Sequence, residues 1–165
     1  MKVIIVSPAY PLRGGIAEST ELLYKEYVKK GVDCQIVSYN LQYPSLLFPG
    51  KKQTINDHSK ESFNINSSLN SISPISWYNV SKYIISKKPN YVILRYWHPF
   101  FAPCLGFIAS KIKKNKISTI AWVDNVVPHE NIFLQKKLTK YFLTRVDSSL
   151  VMSKSVRDDL LKIVP

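Results

Sequence analysis

Three short segments hold the side chains able to do chemistry. VDNVVPHE (residues 123–130) brings Asp124, Asn125, His129 and Glu130 close together. Asp, His and Glu hold or exchange protons, and Asn supplies a hydrogen-bond donor and an acceptor. SPAYPLRGGIAES (7–19) sets Arg13, Gly14 and Gly15 between an apolar run and a stretch with helical rhythm. Adjacent glycines let main chain approach an anion with no side chain in the way, and an arginine adds a planar charge suited to phosphate or carboxylate. RYWHPFF (95–101) places Trp97 and His98 together, an aromatic face with a polar tip that suits a sugar ring or the closing of a pocket. Each pattern also has a plainer use. An Asp after a strand caps a helix or forms a turn. Glu130 complements a helix dipole, a glycine pair makes a tight turn, and aromatics fill the top of a sheet.

Segments like these act only if the chain gathers them. Apolar and β-branched runs predict strands over Lys2–Ser7, Asp33–Tyr39, Phe63–Asn66, Tyr91–Tyr96, Ile117–Val123 and Ser149–Met152. Between them, 3.6-residue spacing predicts helices. Ile16–Lys30 stops at Gly31, and Ile75–Ser86 starts behind Ser73-Pro74. Phe101, Leu105, Ile108 and Ile112 form a further stripe, and a helix from Asn131 to Thr144 turns Leu134, Leu138 and Tyr141 inward. Ser153 caps a last helix, Lys154–Ile163. Strand and helix alternate, so the expected fold class is α/β, a Rossmann-like parallel sheet with helices on both faces. Ligands in such sheets bind beyond the carboxyl ends of the strands, which is where all three segments fall. Residues 40–62 have no clear period and form a long irregular loop of the kind that carries function.

With 165 residues the chain is sized for one domain with its own core. No apolar run reaches the roughly 18–20 residues that span a bilayer, and MKVIIVSPAYP reads as a first strand, having no small-residue cleavage site. Cys34 and Cys104 lie far apart without metal spacing, so two unpaired thiols and no metal are expected. The net charge of +12 points to anionic partners. Lys111, Lys113, Lys114, Lys116, Lys136, Lys137, Lys140 and Arg145 share a span whose acids are Asp124 and Glu130 alone. Those cations either rest on acidic lipid or solvate an outer face. No RRM, KH or helix-turn-helix pattern is present, so no nucleic-acid partner is expected. The absence of GxGxxG and GxxxxGK[ST] argues against a dinucleotide oxidoreductase and a P-loop NTPase.

Taken in order, RGGIA after the first strand, QYPSLLFPGKKQ in the long loop, RYWHPFFAP after the fourth strand and WVDNVVPHE after the fifth resemble the amino-terminal half of bacterial group 1 glycosyltransferases. These are the GT4-like retaining enzymes of GT-B architecture, and the resemblance runs from Met1 to the last helix. It implies one half of a two-lobed enzyme acting on a glycan or lipid-linked acceptor, with a nucleotide-diphosphate sugar as donor substrate and no tightly bound cofactor. Gly14 and Gly15 would meet the donor diphosphate. Arg13, Trp97, His98, Asn125, His129 and Glu130 would face the acceptor, and Asp124 would be catalytic. Many relatives have His-Asn where this chain has Asp124-Asn125, and an Asp there orients a sugar hydroxyl or steadies positive charge at the anomeric carbon. The chain ends at VP165, about where the family crosses to its donor-binding carboxyl-terminal domain. It is therefore expected to be inactive alone, as a truncated piece or one chain of a split transferase. A non-catalytic recruiting subunit is the alternative. The expected location is cytoplasmic, peripheral on the inner face of the plasma membrane.

Overall fold

Four consecutive buried residues, Val3 to Val6, make β1 (Lys2–Val6) a strand covered on both faces. In the computed structural model of the chain, which describes residues 1–44, 54, 63–125 and 132–164, it is followed by α1 (Gly15–Lys29), β2 (Asp33–Leu41), β3 (Ile65–Asn70) and α2 (Pro74–Ser86). Then come β4 (Tyr91–Tyr96), a 3-10 turn (Pro99–Phe101), α3 (Ala102–Lys114), β5 (Ser118–Val123), α4 (Ile132–Leu143), β6 (Ser148–Val151) and α5 (Lys154–Leu161). The six strands form one parallel sheet in the order β3-β2-β1-β4-β5-β6. This is the expected Rossmann-like α/β architecture, with the order reversing between β1 and β4.

The two faces of the sheet bury different sets of side chains. Val3, Ile5, Ile36, Ile93 and Trp122 meet Leu23, Tyr24 and Tyr27 of α1. Ile4, Val6, Val37, Leu94 and Tyr96 meet α2, α3 and α4 on the opposite face. The predicted α3 stripe is correct: Phe101, Leu105, Ile108 and Ile112 are all fully buried. Ser73 and Ser153 cap α2 and α5, accepting from the Ser76 and Val156 amides.

Two expectations need correction. The third strand is Ile65–Asn70 and not Phe63–Asn66. Its sequence, INSSLN, buries only Leu69, because it is an edge strand with little core to cover, so apolar patterning marks it poorly. In α4, Leu134 is 65% exposed and does not point inward. The buried face holds Thr139, Phe142 and Leu143 instead. The hydroxyls of Thr139 and Tyr96 lie 2.7 Å apart, and Phe142 stacks on the Tyr96 ring. A buried phenol needs a hydrogen-bond partner, and supplying one turns the helix roughly a quarter turn from the purely apolar stripe.

Gly106 fixes how closely α3 and α4 approach. A β-carbon there would collide with the Tyr141 ring, whose Cδ1 would lie 2.8 Å away. The ring is backed by the Arg145 guanidinium, 3.7 Å from its centroid. Alanine gains about 1 kcal/mol of helix propensity over glycine, but overpacking costs about 1–3 kcal/mol. Gly106→Ala should therefore lower the urea midpoint, and adding Tyr141→Ala should reverse the sign of that effect.

Candidate functional site

The strand order reverses between β1 and β4, and the carboxyl edge of the sheet beside that reversal is where doubly wound sheets place their ligand crevice. The loops after β1, β4 and β5 converge on it and carry Gly14-Gly15, Trp97-His98 and Asp124-Asn125.

The glycine loop is open. Gly14 has φ +117°, a left-handed conformation that favours glycine. No side chain caps α1, whose first intrahelical bond runs from the Glu18 amide to the Gly14 carbonyl at 3.1 Å. Among the described residues, the amides of Gly15, Ile16 and Ala17 donate to no acceptor. A β-carbon on Gly15 would meet none of the described residues within 4 Å. Among the described residues, nothing accepts from the N–H groups at this helix start, which carries a positive partial charge. Arg13 is exposed beside it.

Under this loop lies Arg95, 4% exposed, a residue the motif reading passed over. Its Nε and Nη2 donate to the two carboxylate oxygens of Asp124 at 2.7 and 2.8 Å. Nη1 donates to the Ile16 carbonyl at 2.9 Å, Ser19 Oγ at 2.7 Å and Thr20 Oγ1 at 3.0 Å. The guanidinium lies 3.9 Å from the centre of the Trp122 ring. One side chain thereby joins the first turn of α1, the end of β4 and the residue after β5. Thr20 extends the network to Ser7 Oγ at 2.7 Å, and the buried Glu21 accepts the Tyr10 amide at 3.0 Å. The signal for Arg95 was a charged residue inside the apolar run YVILRY, which a doubly covered strand tolerates only with partners.

Asp124 is thus at the crevice with both oxygens engaged, each keeping a further acceptor position. Asn125 is exposed beside it. Trp97 donates to the Tyr43 hydroxyl at 3.0 Å and packs on Phe101, with ring centroids 4.2 Å apart. His98 is exposed, and its Nδ1 accepts the Phe100 amide at 3.2 Å, capping the 3-10 turn. Partial desolvation of the ring by its neighbours lowers its pKa. The neutral form that the cap requires, with its proton on Nε2, is favoured. His129, Glu130 and most of QYPSLLFPGKKQ lie outside the described residues. Among the described residues no three His, Cys, Asp or Glu side chains cluster as a metal site, and no helix is long and apolar enough to cross a membrane.

No family model matches the chain, and no curated protein sequence matches it. Solved structures do. An α-glucosyltransferase in complex with UDP and mismatched DNA superposes with TM-score 0.62 at 13% identity, covering 97% of this chain and 39% of that one. The UDP-GlcNAc 2-epimerase of Methanocaldococcus jannaschii gives 0.58 at 14% identity, covering 98% and 42%. Acinetobacter baumannii MurG gives 0.58 at 10% identity, covering 94% and 42%. The fold is therefore that of a Rossmann-like domain of GT-B architecture. Among proteins of that fold, the chain is similar to nucleotide-sugar glycosyltransferases and a sugar-nucleotide epimerase, and spans about 40% of their length.

Removing the buried guanidinium leaves the Asp124 carboxylate and the α1 hydroxyls without their partner. Breaking a buried pair costs about 3–5 kcal/mol. Arg95→Met should lower the unfolding free energy by about 3 kcal/mol in urea titrations. Arg95→Lys should recover only part of it, because an ammonium cannot reproduce the fork. An unchanged midpoint for Arg95→Met would show that the clamp carries no stability.

Proposed function

We propose that this chain is the acceptor-side lobe of a retaining, GT4-like glycosyltransferase that moves a hexose from a nucleotide-diphosphate sugar to a glycan or lipid-linked acceptor. The observation that carries this reading is the uncapped start of α1, with Gly14 and Gly15 open to space at the reversal of strand order. The structural neighbours named for UDP, UDP-glucose or UDP-GlcNAc support a diphosphate as the anion. Their greater length supports a second lobe, on the same chain or a separate one, that grips the donor.

Negative charge grows on the leaving diphosphate as the glycosidic bond breaks. Amides of Gly15, Ile16 and Ala17 fixed in advance stabilise that charge more in the transition state than in the ground state. Asp124 is neutralised by Arg95 at 2.7 Å, which favours its role in orienting a sugar hydroxyl over that of steadying a cationic anomeric carbon. Asn125 and Trp97 flank it on the acceptor side, with Arg13, His98, His129 and Glu130 as further acceptor contacts. The lobe works at the cytoplasmic face of the plasma membrane in polysaccharide assembly. Exposed Leu134, Lys136 and Lys140 of α4 form part of the surface turned to acidic lipid.

Gly15→Val tests the loop, because a β-carbon there meets none of the described residues and obstructs the anion. Inorganic pyrophosphate should shift the Gly15, Ile16 and Ala17 amide resonances in 1H-15N spectra of the chain. In Gly15→Val, affinity should fall about tenfold, or roughly 1.4 kcal/mol, with thermal stability unchanged. No shift at these amides would overturn the phosphate loop. The chain alone should transfer no sugar from UDP-glucose. Joined to a donor-binding lobe it should do so, and continued inactivity would favour a recruiting subunit. For the basic surface, co-sedimentation with phosphatidylglycerol vesicles should exceed that with phosphatidylcholine vesicles and decline with salt. Equal binding to both would exclude electrostatic attachment.

A further inference from the structure

A groove of about 480 Å³ runs between the edge strand β3 and α2, away from the glycine loop. Two register shifts shape it. Between Ser38 and Tyr39 the partner strand advances from Ser67 to Leu69, leaving Ser68 as an extra residue. Between Tyr39 and Leu41 the partner moves only from Leu69 to Asn70, leaving Asn40 extra. Both extra residues line the groove, and bulges of this kind re-aim side chains beside functional sites. Asn66 and Asn79 line it too. Among the described residues, no hydrogen bond uses the side-chain amides of Asn40, Asn66 or Asn79. The chain has 23 lysines and arginines, yet the described residues that line this groove carry no charge. Its chemistry is amide, hydroxyl, the aliphatic Ile75 and Val80, and the Tyr83 ring, one face of which carries the Lys87 ammonium 5.0 Å from its centroid.

We propose that this groove binds a neutral oligosaccharide, holding the part of a glycan acceptor remote from the transferred sugar. A side-chain amide offers a donor and an acceptor side by side, matching the adjacent hydroxyls of a sugar, and a tyrosine ring receives a sugar C–H face. The uncharged lining disfavours a phosphate or uronate. A peptide adding as a further strand fits less well, because two outward groups of β3 are already occupied. The Asn70 amide donates to Ser76 Oγ at 2.8 Å, and Ser76 Oγ donates to the Ser68 carbonyl at 3.0 Å. β3 stands two strands from β1, about 10 Å across the sheet, a distance a few linked sugars span. The inference rests on the glycosyltransferase reading for its acceptor role, while binding itself is measured separately.

The test titrates the 15N-labelled chain with maltohexaose, chitohexaose and a neutral Ser/Asn-rich peptide in parallel, and with inorganic pyrophosphate as a separate arm. At least one hexasaccharide should shift the side-chain NH2 resonances of Asn40, Asn66 and Asn79. The double variant Asn66→Ala/Asn79→Ala should weaken binding about tenfold while leaving the pyrophosphate shifts at Gly15 unchanged. Absence of these shifts with both hexasaccharides, shifts confined to the crevice, or equal binding of the peptide would each overturn the groove. Loss of the pyrophosphate arm alone would strike the phosphate loop and leave the groove standing.

Discussion

A guanidinium buried at the end of β4 is the constraint on which the crevice depends. Arg95 is 4% exposed, and its charge is tolerable only because Asp124, a helix carbonyl, two hydroxyls and an indole face surround it. Those partners come from two segments remote in sequence, the start of α1 and the end of β5 with the residue after it. Satisfying one cation therefore sets the first turn of α1 relative to two neighbouring strands. The glycine loop can then remain uncapped and exposed, because the helix turn behind it is held from beneath by Arg95, while Tyr10 and the buried Leu12 anchor the segment before it.

This division of labour separates rigidity from access. The hydrogen-bonded layer of Ser7, Ser19, Thr20, Glu21 and Arg95 is largely closed to solvent, whereas Gly14, Gly15 and Asn125 lie outside it. Preorganised amides are useful to catalysis in proportion to how little they move when charge develops. A helix whose first-turn carbonyl is bonded to a buried arginine fulfils that condition without spending its own N–H groups.

The sheet was legible in the residues because its central strands are buried on both faces and read as unbroken apolar runs, β4 with identical boundaries. The edge was less so: INSSLN pairs with β2 through bulges and carries little apolar signal. α4 misled because Thr139 faces inward to serve Tyr96, a choice made by a hydroxyl 43 residues away. At the site, Gly14 and Gly15 stood out by type. Arg95 could be suspected as a charge within a strand, but its partners at Ile16, Ser19 and Thr20 are 75 to 79 residues distant. Trp97 and His98 were read as ligand-facing from their types, while the fold also gives each a local task, in an aromatic cluster and at a turn.

The two thiols show a different consequence of the layered architecture. Cys34 packs on the α1 face of the sheet and Cys104 on the opposite face, each free and buried. Burial pushes Cys34 up to about 12 and raises Cys104 as well, so neither offers much thiolate at neutral pH. Bridging them would require breaching the hydrogen-bonded ribbon that separates them. An oxidant therefore finds no crosslink to form between these two thiols and little thiolate to react with while the domain is folded.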